Sequence, residues 1–243
     1  MKHGSDFSSN ATLEAMLRAI LWPAPTNPGI SIAVYTDDNT LDEQQMLTGL
    51  ADCERALAQS IADRLERRHY IVRRLFQRLF VKSVMGWNGA LSDLVIEHRL
   101  DTQPKCLNDP SLQLSFSSSG TTALACASTQ HRIGIDLEKC RHVANVTALA
   151  ERFFTSKEAA TIAALPFADQ NAAFLRYWTA KEAGLKAIGK GIVSGLNSFV
   201  IDIKDKDYLI ENVSEIEKDV AWSVSHVDFL RDHVVAVVHS SLK

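Results

Sequence analysis

Gly134-Ile135-Asp136-Leu137-Glu138 and, about 40 residues later, Trp178-Thr179-Ala180-Lys181-Glu182-Ala183-Gly184-Leu185-Lys186 decide how this chain is read. The first stretch is apolar and β-prone apart from two carboxylates two residues apart. Side chains alternate across a strand, so Asp136 and Glu138 point to one face. The second stretch reads as a helix, where residues four apart share a face. Trp178, Glu182 and Lys186 then form one stripe, with Lys181 beside it. Three carboxylates converging from a strand and a helix suit a hard divalent cation with oxygen ligands, and a neighbouring lysine suits phosphate. The pattern is that of a metal-assisted phosphoryl-transfer site. Its structural alternatives are an exposed edge strand for Asp136 and Glu138, and a surface ion pair worth a few tenths of a kcal/mol for Glu182 and Lys186.

Outward from these stretches, the chain reads as α+β. Strands are expected at Gly29–Tyr35, Leu112–Phe116, Thr122–Ser128 and Arg132–Leu137, then at Ser198–Ile203, Ala221–His226 and His233–His239. Helices are expected near Leu13–Leu21, through Leu41–Lys82 with breaks, and at Val143–Arg152, Ser156–Leu165 and Ala168–Ala187. Ser156 is the expected start of its helix, and Asp101–Pro110 reads as a turn-rich loop. Leu114-Ser115-Phe116-Ser117-Ser118 is echoed by Trp222-Ser223-Val224-Ser225-His226. An amphipathic helix followed by a strand pair occurs before residue 130 and again after it. Two similar lobes follow from this, over residues 1–130 and 131–243.

Between Arg64 and Lys82 the chain carries Arg64, Arg67, Arg68, Arg73, Arg74, Arg78 and Lys82, with Glu66 as the acid among them. Leu65, Ile71, Val72, Leu75, Leu79 and Val84 recur at helical spacing. Such a helix is either a solvated basic face or a seat for a polyphosphate or an acidic protein. The whole chain, in contrast, has a formal net charge of −3, which gives no support to nucleic acid as a general partner. No apolar run approaches the roughly 18 residues of a membrane span. Met1–Asn10 is polar and lacks the apolar core of a secretory signal, so the cytoplasm is expected. Cys53, Cys106, Cys126 and Cys140 are scattered without a Cys-x-x-Cys pair, as free thiols would be.

Gly134–Glu138 resembles the G-[IV]-D-[IVL]-E signature of 4′-phosphopantetheinyl transferases, and Trp178–Lys186 resembles their W-[ST]-x-K-E-[AS]-x-x-K signature. Arg152-Phe153-Phe154-Thr155-Ser156-Lys157-Glu158 is similar to the stretch that lies between them. The likeness is good from Leu112 to about Leu196. Upstream, length and the basic helix resemble the two-lobed Sfp-like branch, whose fold is a pseudo-two-fold pair of lobes, each a small antiparallel sheet packed with helices. The resemblance implies transfer of the phosphopantetheine arm of coenzyme A to a serine of an acyl or peptidyl carrier protein. The serine attacks the β-phosphate and 3′,5′-ADP leaves. It implies Mg²⁺ (or Mn²⁺, which accepts the same oxygens) on Asp136, Glu138 and Glu182. It also implies Glu182 or metal-bound water as base, Lys186 against the phosphates and Lys181 as a second cation near the pyrophosphate. A monomer is expected, because two lobes in one chain can form the cleft between them.

The sequence departs from the family in its first half. Ser117-Ser118-Ser119 stands where the family has S-H-S, so the histidine that contacts the 3′-phosphate of coenzyme A is Ser118 here. A hydroxyl cannot supply the charge-assisted bond of a protonated imidazole. The family's G-K-P is Thr102-Gln103-Pro104, with Lys105 one or two positions late as its substitute. Arg67, Arg68 and Arg74 align loosely with the family's arginine-rich helix, so Ser117, Ser118, Lys105, Arg68, Arg74 and Lys181 form the expected coenzyme A contacts. Two other classes compete: a non-catalytic relative that binds coenzyme A or a carrier protein as a regulatory module, and an unrelated Mg²⁺-dependent phosphohydrolase.

Overall fold

A computed structural model of the chain describes residues 11–23, 27–99, 102–189, 195–204, 207–211 and 222–241. The first half holds helices α1 (Ala11–Ala19), α2 (Glu43–Leu47), α3 (Asp52–Ser60) and α4 (Arg64–Met85), and strands β1 (Ser31–Thr36), β2 (Ile96–Glu97), β3 (Lys105–Cys106), β4 (Gln113–Ser119) and β5 (Thr122–Ser128). The second half holds β6 (His131–Lys139), α5 (Val146–Phe153), α6 (Ser156–Ala163), α7 (Phe167–Ala187), β7 (Val200–Lys204), β8 (Asp207–Glu211), β9 (Trp222–His226) and β10 (His233–Ser241). The strands form two antiparallel five-stranded sheets, ordered β1-β5-β4-β3-β2 and β6-β10-β9-β8-β7. Adding five to each strand number converts the first order into the second, so one topology occurs twice. The echoed segments around Ser115 and Ser223 fall on β4 and β9, which occupy equivalent places in it.

Alternation along β1 and β5 explains how the halves meet. One face carries Ala33, Ala123, Ala125 and Ala127, small enough for α4 to lie close, and Tyr35, which stacks on Phe76; α4 buries Ile71, Val72, Leu75, Phe76, Leu79 and Phe80 there. The other face carries Ile32, Val34, Leu124 and Cys126, which pack on Ile133, Ile135 and Leu137 of β6 and on Val235 and Val237 of β10. The opposite face of β6 and β10 is covered by α7. Asp63 caps the N-terminus of α4 by accepting the Glu66 N–H at 2.8 Å, and Gly86 closes its C-terminus at φ +61°, a backbone region that glycine enters freely.

The helical stretch 41–82, expected with breaks, divides into α2, α3 and α4. Two local expectations change. The cap of α6 is Thr155 rather than Ser156: Glu158 accepts the Thr155 N–H at 2.9 Å while its own N–H faces the threonine hydroxyl, a reciprocal box. The 101–110 loop contains the two-residue strand β3.

Candidate active site

The site forms where β6, α7 and β4 meet. Ile133, Ile135 and Leu137 face the other sheet, so Gly134, Asp136 and Glu138 face α7. A Cβ at position 134 would lie 1.9 Å from the Ala183 carbonyl oxygen and 2.6 Å from the Ala187 nitrogen. Glycine there lets the helix backbone press onto the strand, and that approach brings Glu182 and Lys186 over the acids. Lys186 Nζ donates to Asp136 Oδ1 at 2.7 Å and to the Ile135 carbonyl at 3.2 Å.

The third wall is β4. Its odd-numbered serines all turn toward the edge of β6 that β10 does not occupy. Ser115 Oγ accepts the Ile135 N–H at 3.1 Å, Ser117 Oγ donates to Asp136 Oδ1 at 2.8 Å, and Ser119 Oγ accepts the Lys139 N–H at 3.2 Å. Gln103 adds an amide donor to the Ile133 carbonyl at 3.0 Å. Side chains of the first half thus supply hydrogen bonds to backbone groups that a strand edge leaves open, and they fix Asp136 from a second direction.

Negative charge is concentrated here. Burial first, and then the charge of Asp136, raise the pKa of Glu182 to about 7, with Lys186 opposing and Glu138 adding to the rise. Burial and then Asp136 also raise the Glu138 carboxyl, against the pull of Arg141, Lys186 and His233. Glu182 Oε1 is buried and makes no hydrogen bond among the described residues. Three carboxyl groups against the Lys186 ammonium, with one oxygen uncommitted, fit a hard divalent cation in charge and donor chemistry. Their spacing is wider than that of a closed metal cage: among the described residues no group of three or more His, Cys, Asp or Glu side chains is gathered tightly enough to hold an ion.

Of the expected coenzyme A contacts, the structure brings Ser117, Ser118 and Arg74 to one cavity of about 220 Å³, which also admits Tyr70, Arg73, Gln77, His98 and Phe116. It leaves three elsewhere. Lys181 is fully buried, with Nζ on Glu158 Oε1 at 2.9 Å and on the Leu196 and Phe199 carbonyls at 2.7 and 2.6 Å. It lies about 100° around α7 from Glu182, inside the second core, so the expectation of a second cation at the pyrophosphate is corrected. Arg68 forms a bidentate pair with Asp37 at 2.6 and 2.8 Å, adds a bond to the Leu41 carbonyl, and lines a different cavity with Asp42 and Arg64. Lys105 pairs with Gln113 at the far end of β4, four residues or about 13 Å along the strand from Ser117.

Trp178 is a packing residue, its ring 5.7, 6.4 and 5.8 Å from those of Phe153, Phe154 and Phe174. Gly189 takes φ +71° just past the end of α7, and Lys190 and Gly191 lie outside the described residues. Sequence reasoning assigns no role to His98 or Tyr70, and it names Ser115, Ser119 and Gln103 only within aligned or echoed segments, without a role. Spacing gave a signal only for Ser115 and Ser119, whose period of two with Ser117 marks one face of a strand.

A family model of the 4′-phosphopantetheinyl transferase superfamily matches residues 132–238. The 4′-phosphopantetheinyl transferase HetI of Nostoc sp. (strain PCC 7120 / SAG 25.82 / UTEX 2576) is 42% identical over 81 residues, covering 33% of this chain and 34% of that protein. Psf-1 of Bacillus pumilus is 31% identical over 115 residues (47% and 48%), and Sfp of Bacillus subtilis (strain 168) is 30% identical over 131 residues (53% and 57%). The chain therefore spans between about a third and somewhat over half the length of these curated relatives. The part that the family model matches contains α7 and all of β6 but its first residue, the two elements that carry the carboxylates and Lys186. The chain is thus similar to the 4′-phosphopantetheinyl transferase superfamily over residues 132–238, and its α+β architecture of helix-packed antiparallel sheets is consistent with that fold.

Proposed function

We propose that the protein transfers the 4′-phosphopantetheine arm of coenzyme A to a serine of an acyl or peptidyl carrier protein and releases 3′,5′-ADP. The observation that carries this is the convergence of Asp136, Glu138, Glu182 and Lys186 across β6 and α7, one residue away from a cationic, aromatic-walled cavity. Asp136, Glu138 and Glu182 would hold Mg²⁺ or Mn²⁺, which when bound neutralises charge on the pyrophosphate oxygens. Lys186 sets an ammonium at the same place and stabilises charge that grows on the leaving phosphate. Glu182, whose buried Oε1 makes no hydrogen bond among the described residues, or water on the metal, would accept the proton of the incoming serine hydroxyl. Ser117 and Lys186 together hold Asp136 in one orientation, so the charge is preorganised before substrate arrives.

In this scheme residues 1–130 hold the adenylate end and residues 131–243 hold the metal and catalytic groups. A monomer suffices, because one chain supplies both β4 and β6. No described helix is long and apolar enough to cross a membrane. Incubating the protein with coenzyme A, Mg²⁺ and a carrier protein, then weighing the carrier, tests the proposal. A gain equal to the phosphopantetheine arm is expected. No gain on several carriers, with coenzyme A still bound, would refute it.

A further inference from the structure

Glycine at position 134 explains only how close the backbones of β6 and α7 can come. A missing Cβ removes an obstacle and supplies no attraction. Two backbone carbonyls at this contact lie outside the regular ladders. That of Ile133 opens on the edge of β6 that β10 does not occupy, the edge where Ser115 takes the Ile135 N–H and Lys186 Nζ reaches the Ile135 carbonyl. That of Ala187 is among the last four of α7, which the end of a helix leaves without an intrahelical donor. Gln103 Nε2 donates to both, at 3.0 Å to Ile133 and 3.4 Å to Ala187. Both partners are acceptors, so only the nitrogen of the amide can face them, and its two hydrogens match two carbonyls. Gln103 stands in the first half of the chain, between β2 and β3, with Pro104 after it. A residue before proline is confined to extended backbone, which limits where its side chain can point. Its Cγ lies 4.0 Å from where a Cβ on Gly189 would be, so the stem rests against the chain just past α7.

Resting on the transferase proposal, we infer that Gln103 is a positioning residue of the reaction: its amide ties the edge of β6 to the last turn of α7 and so holds Lys186 and Glu182 at their distance from Asp136. Ala187 follows Lys186 directly, and Ile133 precedes Gly134 on the strand. The tie therefore crosses from helix to strand beside the place where the Lys186 ammonium meets Asp136 Oδ1 at 2.7 Å. Gly134 sets the lower limit of that gap, and Gln103 keeps it from widening. Gln103 acts through these two backbones and not on the substrate. The first half of the chain thereby helps to fix catalytic groups that all belong to the second.

Carrier-modification kinetics and backbone hydrogen exchange on the whole protein test this. Gln103→Met keeps the length of the side chain and removes both donors. It should lower kcat about tenfold, part of the roughly hundredfold that a misplacement of about 1 Å costs. KM for coenzyme A and for the carrier should stay within about twofold, since the residue acts on the catalytic groups and not on binding. Gln103→Lys returns donors to both carbonyls and should recover most of kcat. Gln103→Glu turns acceptors toward them and should be no faster than Gln103→Met. A side chain that only adds stability would leave kcat unchanged at a temperature where the variant is folded. Independently of turnover, the amides of residues 186–189 should exchange faster in Gln103→Met than in the wild type, and recover in Gln103→Lys. A wild-type kcat in Gln103→Met overturns the inference, and so does a raised KM for coenzyme A with kcat unchanged, which would make Gln103 a ligand contact. Carrier modification by the wild type, with kcat and exchange unchanged in Gln103→Met, defeats the inference alone. Faster exchange in that variant, with no carrier modified by the wild type, defeats the transferase proposal and leaves the tie between β6 and α7 standing.

Discussion

Gly134→Ala is the substitution that tests most directly how this site is held together. The added methyl carbon would sit 1.9 Å from the Ala183 carbonyl oxygen, and ordinary contact begins near 3.4 Å. The obstacle is backbone on both sides, so no rotamer relieves it. β6 and α7 must separate by up to about 1.5 Å at that level, the difference between those two distances. Overpacking of this kind costs about 1–3 kcal/mol. The same shift acts on the Lys186 Nζ–Asp136 Oδ1 contact, now 2.7 Å, and would carry it beyond hydrogen-bonding range. Misplacement of catalytic groups by about 1 Å can lower rates about a hundredfold. Urea unfolding should therefore show a loss of about 1–3 kcal/mol, and carrier-modification kinetics at a temperature where the variant is folded should show a fall in kcat of about two orders of magnitude. A variant whose stability and kcat both stay at wild-type values would mean that α7 does not rest on β6 at Gly134, and the account of the site would fail with it.

Three other perturbations probe separate parts of the molecule. Lys181→Met leaves Glu158 buried without its ammonium and should cost about 3–5 kcal/mol in urea unfolding with an unchanged KM for coenzyme A; a raised KM at wild-type stability would return Lys181 to the substrate site. Asp136→Ala and Glu182→Ala should each cut carrier modification by orders of magnitude while circular dichroism stays that of the wild type, and near-normal rates at limiting Mg²⁺ would remove the metal-site proposal. His226, whose Nε2 faces the Arg176 carbonyl, has its pKa pushed down to about 4 by burial and by Arg176. Between pH 6.5 and 4 the unfolded chain takes up this proton and the folded one resists it, so stability falls with falling pH, by at most about 3 kcal/mol from this group. His226→Gln should flatten that part of the stability profile, and an identical slope in wild type and variant would show that the histidine is accommodated as a cation.

The parts of the site legible in the sequence are those whose logic is local. Alternation placed Asp136 with Glu138, and helical spacing placed Glu182 with Lys186, because both periodicities are properties of a single element. Lys181 failed the same reasoning. It is one residue from Glu182 and as polar as Lys186, and nothing in α7 itself reveals that Glu158 and two loop carbonyls enclose it. Its partner comes from another helix, so burial and charge pairing are decided by tertiary packing. His98 was illegible for a different reason: it follows a two-residue strand, too short to show any period. Gly134 lies between these cases, since its place in the motif was plain while its cause is the backbone of a helix some fifty residues later.

The repeated topology sets the carboxylates of one half and the arginines of the other at the same junction. β6 is to the second sheet what β1 is to the first, and α7, the last helix before the closing strands, corresponds to α4. Between Ser31 and Thr36, β1 carries no acid, and α4 turns arginines toward the cavity where α7 turns Glu182 and Lys186 toward β6. Two copies of one scaffold thus place carboxylate oxygens and guanidinium nitrogens on either side of β4. Under the proposed function, a ligand spanning that strand, with one anionic group near the carboxylates and Lys186 and another near the arginines, would engage both copies together. Neither lobe alone offers that pairing. The serines of β4 are where the two meet, because Ser117 serves the acidic half and Ser118 the basic one.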